Sequence, residues 1–324
     1  MPEITMVQAL NSALRHCLRE DDRVLVYGED VGKLGGVFRV TDGLQAEFGE
    51  ERVFDTPLAE SAIVGTAVGL ALAGWRPVPE IQFNAFAYPA LNQIISHVAK
   101  YRSRSAGGVD MSIVIRMPTG GGIGAAEHHS ESPESLFAHT AGLKIAAPSS
   151  PLDAFSLLVN AIHAPDPVIF MEPTIRYWSK ESGELRTDGL PLGVARILRH
   201  GSHCTLIAWG SSVARCLEAA EAAEEDGVEL EVLDLRTLVP LDLETLIGSV
   251  RKTGRAVVVQ EAPLTAGFGA EIVARIMEEA FDALHAPAMR VAGYDIPYPP
   301  AMLEEQYLPS LERILVAADR VLRY

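Results

Sequence analysis

Cysteine is scarce in this chain: three occur in 324 residues, Cys17, Cys204 and Cys216. An odd count excludes a fully paired disulfide framework, and no Cys-x-x-Cys spacing offers a metal or redox motif. The three read as reduced thiols, which places the protein in the cytoplasm. Long apolar runs are missing too. The longest, Ser61 to Trp75, is rich in Gly and Ala and falls short of the roughly 18–20 residues of a membrane span, so a buried helix is expected there. The start, Met1-Pro2-Glu3-Ile4-Thr5, has no basic segment leading into an apolar core, and no targeting signal is expected. Positive charge is in deficit, with Lys plus Arg at 27 against Asp plus Glu at 43, a net charge of −16. That balance argues against nucleic acid or an anionic membrane as the main partner and leaves room for a basic protein. Three catalytic signatures are absent: Gly-x-x-x-x-Gly-Lys-Ser/Thr, Gly-x-Ser-x-Gly and His-Glu-x-x-His. The chain therefore offers no phosphate-binding loop of its own.

What is present is ordinary for a folded protein: 48 % hydrophobic and 22 % charged residues, over a length that suggests about two domains. Thr5 is a plausible cap for a helix over Val7–Arg19, where Val7, Leu10, Leu14 and Leu18 recur at helical spacing. Short apolar strands are expected at Val24–Tyr27, Val53–Asp55, Val78–Phe83, Met111–Arg116, Leu143–Ala147 and Val168–Met171. Helices are expected over Ser61–Ala73, Tyr88–Tyr101 and Ser150–His163. This alternation implies a mostly parallel sheet covered on both faces. The pattern lapses between Pro173 and His203, a connection with one or two short strands. A second alternation follows, with strands at Thr205–Trp209, Val228–Leu235, Ala256–Gln260 and Met289–Ala292. Its helices are expected at Val213–Asp226, Asp242–Val250, Phe268–Ala283 and Pro309–Arg323. The expected division is 1–180, a linker over 181–203, and 204–324.

Four features could carry chemistry. Glu60, after Asp55-Thr56-Pro57-Leu58-Ala59, leads a helix that is almost wholly apolar. As a helix-terminal charge it is unexceptional; partly desolvated at the head of that helix, it suits a general acid or base. Gly65, Gly69 and Ala73 form one small-residue face, fitted either to packing within the domain or to a subunit interface. Gly120-Gly121-Gly122-Ile123-Gly124 follows a strand but matches a dinucleotide fingerprint only loosely, and a flexible or closely approached loop is the plainer reading. In Glu127-His128-His129-Ser130-Glu131-Ser132-Pro133-Glu134, adjacent histidines point in different directions and do not share a metal. One histidine in a polar loop is a good acid/base at neutral pH. Ser132-Pro133-Glu134 also reads as a helix start.

Together these residues resemble a known family. Gly28-Glu29-Asp30-Val31-Gly32, Asp55-Thr56-Pro57-Leu58-Ala59-Glu60, Pro79-Glu80-Ile81-Gln82-Phe83 and the His128–Glu134 run, continued by Asp166–Phe170, Asp234–Leu238 and Lys252–Arg255, look like the β subunit of the thiamin-diphosphate-dependent component of 2-oxo acid dehydrogenases. The resemblance covers nearly the whole chain. It implies an α/β, transketolase-like fold, with a parallel-sheet pyrimidine-binding domain and a transketolase C-terminal-type domain. It also implies an α2β2 heterotetramer with an α subunit, and a dihydrolipoyl acyltransferase core that is engaged through its lipoyl and peripheral subunit-binding domains.

On the same resemblance, the activating glutamate falls on Glu60, hydrogen-bonded to ring nitrogen N1′ of the aminopyrimidine. Other pyrimidine contacts fall on Leu58, Gln82 and Phe86, with Phe86 standing where some members carry Tyr. The active-site histidine falls on His129, serving the lipoyl step. The Gly-Asp-Gly motif for magnesium and diphosphate is absent, so those would be held by the α subunit. A potassium site made largely of carbonyls falls on Ile113, Ala161, Ile162, Ala164 and Asp166. The His-His-Ser-Glu-Ser-Pro-Glu run, the glycines and Arg176-Tyr177-Trp178 look most like branched-chain (2-oxoisovalerate) members, with pyruvate and acetoin members close by. A non-catalytic scaffold is the competing class, and it would have no need of a carboxylate at Glu60. Asp295, Glu304, Glu305 and the terminal carboxylate of Tyr324 read as an acidic docking surface for the peripheral domain.

Overall fold

The computed structural model describes residues 3–324. Two sheets organise it. The first has seven strands in the order Thr237–Val239, Lys144–Ala146, Val168–Pro173, Val114–Thr119, Arg76–Glu80, Val24–Gly28 and Val53–Asp55. All run parallel except Thr237–Val239, which pairs antiparallel with Lys144–Ala146. Val24–Gly28, Val114–Thr119 and Val168–Pro173 are buried at every position, the pattern of strands covered on both faces.

Helices Met6–Glu20 and Pro151–His163 pack together over one face, around Leu10, Leu14, Phe155 and Leu158. Thr5 caps the first helix in a capping box with Gln8, as its sequence suggests. Helix Glu60–Leu72 covers the other face with Ile63, Val64, Ala67 and Val68.

The second sheet has the order Met289–Gly293, Ala256–Pro263, Cys204–Ala208, Leu230–Asp234 and Arg196–Arg199, antiparallel only at Arg196–Arg199. Helices Ser212–Glu225 and Leu311–Leu322 lie on one face, Leu243–Thr253 and Gly269–Ala280 on the other. One apolar cluster runs from Ile63, Ile115 and Ile169 through Trp209 and Leu233 to Val258 and Ile272, so the two sheets share a core.

Several expectations are corrected. The stretch expected as helix Tyr88–Tyr101 is a chain of short turns: a 3-10 segment Asn84–Ala90, one α turn Leu91–Gln93, a π turn Ile94–Val98 and Tyr101–Arg104. Pro89 lies inside the first and cannot donate to a regular ladder. The strand expected at Met111–Arg116 is shifted to Val114–Thr119 and contains Pro118. On that side the neighbouring strand pairs only as far as Arg116, so the missing N–H of Pro118 faces no ladder.

Within 181–203, Lys180–Ser182 pairs with Glu3–Thr5, and Arg196–Arg199 already belongs to the second sheet. The connection between them is not loose. The wholly buried Arg236 donates to the carbonyls of Val194 at 2.6 Å and Leu190 at 3.2 Å and pairs with Asp153 at 3.1 Å. The antiparallel strand Thr237–Val239 has no counterpart in the expected elements. Three residues are too few for a periodicity to show.

Candidate active site

Gly28 lies beside both Asp55 and Glu80, and Glu80 beside Arg116, so four parallel strands end at one carboxyl edge. The loops that leave this edge carry Glu29-Asp30, Thr56–Glu60, Ile81–Phe86 and Gly120–Ser130. Loops at the carboxyl ends of parallel strands are where open α/β sheets bind ligands. Register alone thus brings Leu58, Glu60, Gln82, Phe86 and His129 to one side of the sheet.

Glu60 opens its helix and is buried, 9 % exposed. Among the described residues, no side chain or backbone N–H bonds or pairs with its carboxylate. The residue is buried as a whole while its carboxylate is left unbonded at the sheet edge. Glu29 stands nearby: burial first, then the charges of Glu60 and Asp30, push its carboxyl above the ordinary range. Gln82 donates to Asp30 at 2.9 Å, and Gly32 N–H donates to Asp55 at 2.6 Å, fixing the loop after Gly28. Leu58 is 78 % exposed, an apolar side chain presented at the mouth of the edge.

His129 sits in a single 3-10 turn, Glu127–His129. Its ring meets Phe83 edge-on with centroids 4.2 Å apart and Phe86 at 5.3 Å. Its Nδ1 is buried without a partner, as are Asn84 Oδ1, Ser130 Oγ and Thr56 Oγ1 on the loops of the same edge. His128 instead faces Glu127 in the open at 3.1 Å. Sequence reasoning missed the part played by Phe83 and Glu29. Their only signal was position, one residue past Gln82 and one past the strand end at Gly28.

Beneath the edge lies a buried ion network. Arg116 grips Glu172 through two bonds, at 2.7 and 2.9 Å, and Glu80 at 2.7 Å. Tyr177 adds a hydroxyl to Glu172 at 2.7 Å. Two carboxylates around one guanidinium leave a surplus negative charge, and burial pushes the Glu80 carboxyl upward.

The glycine run is not a free loop. Gly121 N–H donates to Glu261 at 3.1 Å, Gly122 and Gly124 N–H donate to Glu304 at 2.8 and 2.9 Å, and Tyr298 donates to Glu304 at 2.7 Å. A Cβ at Gly121 would overlap the Tyr298 hydroxyl, which is why glycine is needed there. Glu304 is therefore buried and committed, and it is no part of an acidic docking surface. Asp295 is exposed but bonded to Thr265 N–H and hydroxyl, each at 2.8 Å. Ser132 does not cap the helix Glu134–Ala138; Glu134 is buried and accepts from Trp209 Nε1 at 2.9 Å. Burial pushes Glu261 up to about 7, with Glu134 and Glu304 adding to the rise. The small-residue face is divided: Gly65 lies against the Gln93 side chain, which a Cβ there would meet at 3.7 Å, whereas a Cβ at Gly69 would meet nothing within 4 Å.

Ile113, Ala161, Ile162, Ala164 and Asp166 gather at the opposite, amino edge. There Val168 N–H bonds the Ile113 carbonyl at 2.9 Å, Ala164 N–H the Ala161 carbonyl at 3.2 Å, and Arg76 the Ile162 carbonyl at 3.0 Å. Asp166 pairs with Arg102 at 3.1 Å and Lys144 at 2.9 Å. All three cysteines are buried and free, and burial pushes Cys17 and Cys204 up to about 12.

Residues 2–178 match the family described as transketolase, pyrimidine binding domain, and residues 193–314 match transketolase, C-terminal domain. The chain is 55 % identical to the pyruvate dehydrogenase E1 component subunit beta of Leifsonia xyli, over 99 % of this chain and 95 % of that one. It is 53 % identical to the 3-methyl-2-oxobutanoate dehydrogenase subunit beta of Mycobacterium tuberculosis, over 99 % and 92 %. Among solved structures, a split-gene transketolase in an inactive beta4 tetramer superposes with a TM-score of 0.81 at 24 % identity, over 99 % of this chain and 98 % of that one.

Proposed function

The chain belongs to the E1 beta subunits of 2-oxo acid dehydrogenases, assembled from a transketolase pyrimidine-binding and a transketolase C-terminal domain, and from that premise we propose that it serves the oxidative decarboxylation of 2-oxoisovalerate and the reductive acylation of a lipoyl group. The observation that supports this reading is Glu60, a largely buried residue whose carboxylate bonds no described residue, on the same edge as Phe86 and His129. Thiamin diphosphate, when bound, would supply the electron sink for loss of carbon dioxide.

The residues present fit the pyrimidine half of that cofactor. Glu60 would exchange a proton with a ring nitrogen, N1′, and the low-dielectric helix head strengthens that hydrogen bond. Phe86 would pack on the ring. Its lack of a hydroxyl leaves that contact apolar. Gln82, held by Asp30, and Leu58 would line the pyrimidine's rim. His129 would orient the lipoyl group or give it a proton, with an imidazole gripped by rings and a free nitrogen.

Magnesium and diphosphate are assigned to an α subunit in an α2β2 assembly, because this chain has no Gly-Asp-Gly. A potassium ion at Ile113, Ala161, Ile162, Ala164 and Asp166 would share its carbonyls with donors already in place. Docking of the acyltransferase peripheral domain would fall to the exposed Asp295, Glu305 and the end of the chain, without Glu304. The cytoplasm remains the proposed location; among the described residues, no helix is long and apolar enough to cross a membrane.

Pyruvate is the second reading, because a relative named for it is 55 % identical, against 53 % for one named for the branched-chain acid. The test is reconstitution with an α subunit carrying Gly-Asp-Gly. A kcat/KM at least about tenfold higher for 2-oxoisovalerate than for pyruvate supports the first reading, a gap that one or two methylenes in an apolar pocket can supply. The reverse order selects pyruvate. Calorimetry on the chain alone should show only weak cofactor binding, and micromolar magnesium-dependent binding would overturn the split of the site.

A further inference from the structure

The loop that carries His129 is long and nearly without regular structure. Gly120 N–H bonds the carbonyl of Glu131 at 3.0 Å, closing residues 120–131 into a loop with one short turn, Glu127–His129. Its far end is tied within the first domain, where Asn84 and Tyr88 both donate to Glu131. Its near end has no such tie in that domain beyond Thr174, which bonds the Gly120 carbonyl at 2.8 Å. It is held instead from the second domain. Glu304 accepts Gly122 N–H on one oxygen and Gly124 N–H on the other, about 180 residues away in sequence. No polar contact fixes the His129 ring, whose Nδ1 is unbonded, so its place between Phe83 and Phe86 depends on the backbone beneath it.

We propose that Glu304 is a positioning residue for His129: by accepting two amides of the glycine run from the opposite domain, it sets the loop that places the imidazole against Phe83 and Phe86. Glycines at 120, 121, 122 and 124 make this loop conformationally free by itself. A carboxylate is the side chain that can satisfy two N–H donors at once. Glutamine offers one acceptor and turns an NH2 toward the other amide. Tyr298 completes the grip by donating to the same carboxylate. Burying that charge without a cation is costly, and the three donors offset the cost only when the two domains are docked. The placement of His129 thereby depends on the packing of the second domain on the first.

The inference rests on His129 being an active-site group, and the experiment separates the two. Three variants of the reconstituted α2β2 enzyme, Glu304→Gln, Tyr298→Phe and His129→Ala, are compared with wild type. Amide exchange of residues 120–131 is measured together with both half-reactions, decarboxylation to an artificial acceptor and acyl transfer to a lipoyl domain. In Glu304→Gln, exchange at Gly122 and Gly124 should quicken by about tenfold or more, the scale of one lost charge-assisted hydrogen bond. The half-reaction that His129→Ala damages more should fall by about ten- to a hundredfold with the cofactor's affinity unchanged, as a displaced group costs. Tyr298→Phe, the milder change, should move both readings the same way by less. Unchanged exchange in Glu304→Gln and Tyr298→Phe overturns the proposal. So does faster exchange with no loss in the His129-dependent step. An inert His129→Ala variant instead removes the reading on which the proposal rests, whatever Glu304 does to the loop.

Discussion

At the amino edge of the seven-stranded sheet, Arg76 reaches Asp21 at 3.0 Å, Ser112 at 3.1 Å and the Ile162 carbonyl at 3.0 Å, and Asp166 is shared by Arg102 and Lys144. At the carboxyl edge of the same sheet, Glu60 has no partner among the described residues, and buried atoms of Thr56, Asn84, His129 and Ser130 go unbonded. The strands between are alike in burial and parallel pairing. The difference lies in what the loops were selected to leave unsatisfied. An unpaired buried polar group costs about 1–3 kcal/mol, so a cluster of them is stable only where a ligand or partner completes it. One edge supports the fold, and the other is where we propose the chemistry lies.

The sharpest way to break this contrast is Glu60→Gln. It keeps the shape of the helix head and removes the proton acceptor. Decarboxylation of 2-oxoisovalerate by the reconstituted enzyme should fall by roughly a hundred- to ten-thousandfold, with the melting temperature unchanged. Near wild-type carbon dioxide release would return Glu60 to the role of a helix-terminal charge. His129→Ala should come next, lowering acyl transfer to a lipoyl domain by about a hundredfold while decarboxylation to an artificial acceptor falls less. Equal damage to both would move His129 to the 2-oxo acid.

The amino edge should respond in the opposite currency. Arg76→Met leaves Asp21 to Arg23 alone and strips Ser112 and Ile162 of a donor. It should destabilise the chain by about 2 kcal/mol, read as a shift in the denaturant midpoint, with kcat per folded enzyme unaltered. The same edge gives a pH signature. Hydrogen bonds from Arg23 hold the Asp21 carboxyl below its usual range. A depressed carboxylate pKa adds stability that is fully present above its ordinary range and lost as pH falls through the folded value. Asp21→Asn should therefore flatten the acid limb of the stability curve and leave neutral pH activity in place. The smallest effect is potassium in place of sodium. If the ion shares the Ile113 and Ala161 carbonyls, the melting temperature should rise by about one or two degrees. No difference between the two salts would leave those carbonyls to their N–H donors.

Much of this division could be read before the fold was known. Short apolar strands alternating with helices gave the two sheets, because a parallel strand buried on both faces is apolar at every position. Glu60 stood out because it heads an apolar helix, and His129 because it follows glycines in a polar loop. The broken helix after Phe83 was not legible. Its apolar spacing is helical, but Pro89 interrupts the ladder and Ala87 and Ala90 are buried in the shared core. Glu304 was misread for a related reason. In a run of acids near the end of the chain, nothing marks the one that turns inward.

The order of residues alone determined the alternation of elements and the parallel sheets they build, and it singled out the two side chains proposed to carry the chemistry. Those follow from local periodicity and from side-chain type, which act over a few residues. Tertiary structure decided which polar groups are satisfied. Glu304 meets Gly122 and Gly124, Arg236 meets the carbonyls of Leu190 and Val194, and Glu60 meets nothing in the described chain, through contacts spanning tens to hundreds of residues. A hydrogen bond needs both partners within about 3 Å, and only the packing of the two domains brings them that close.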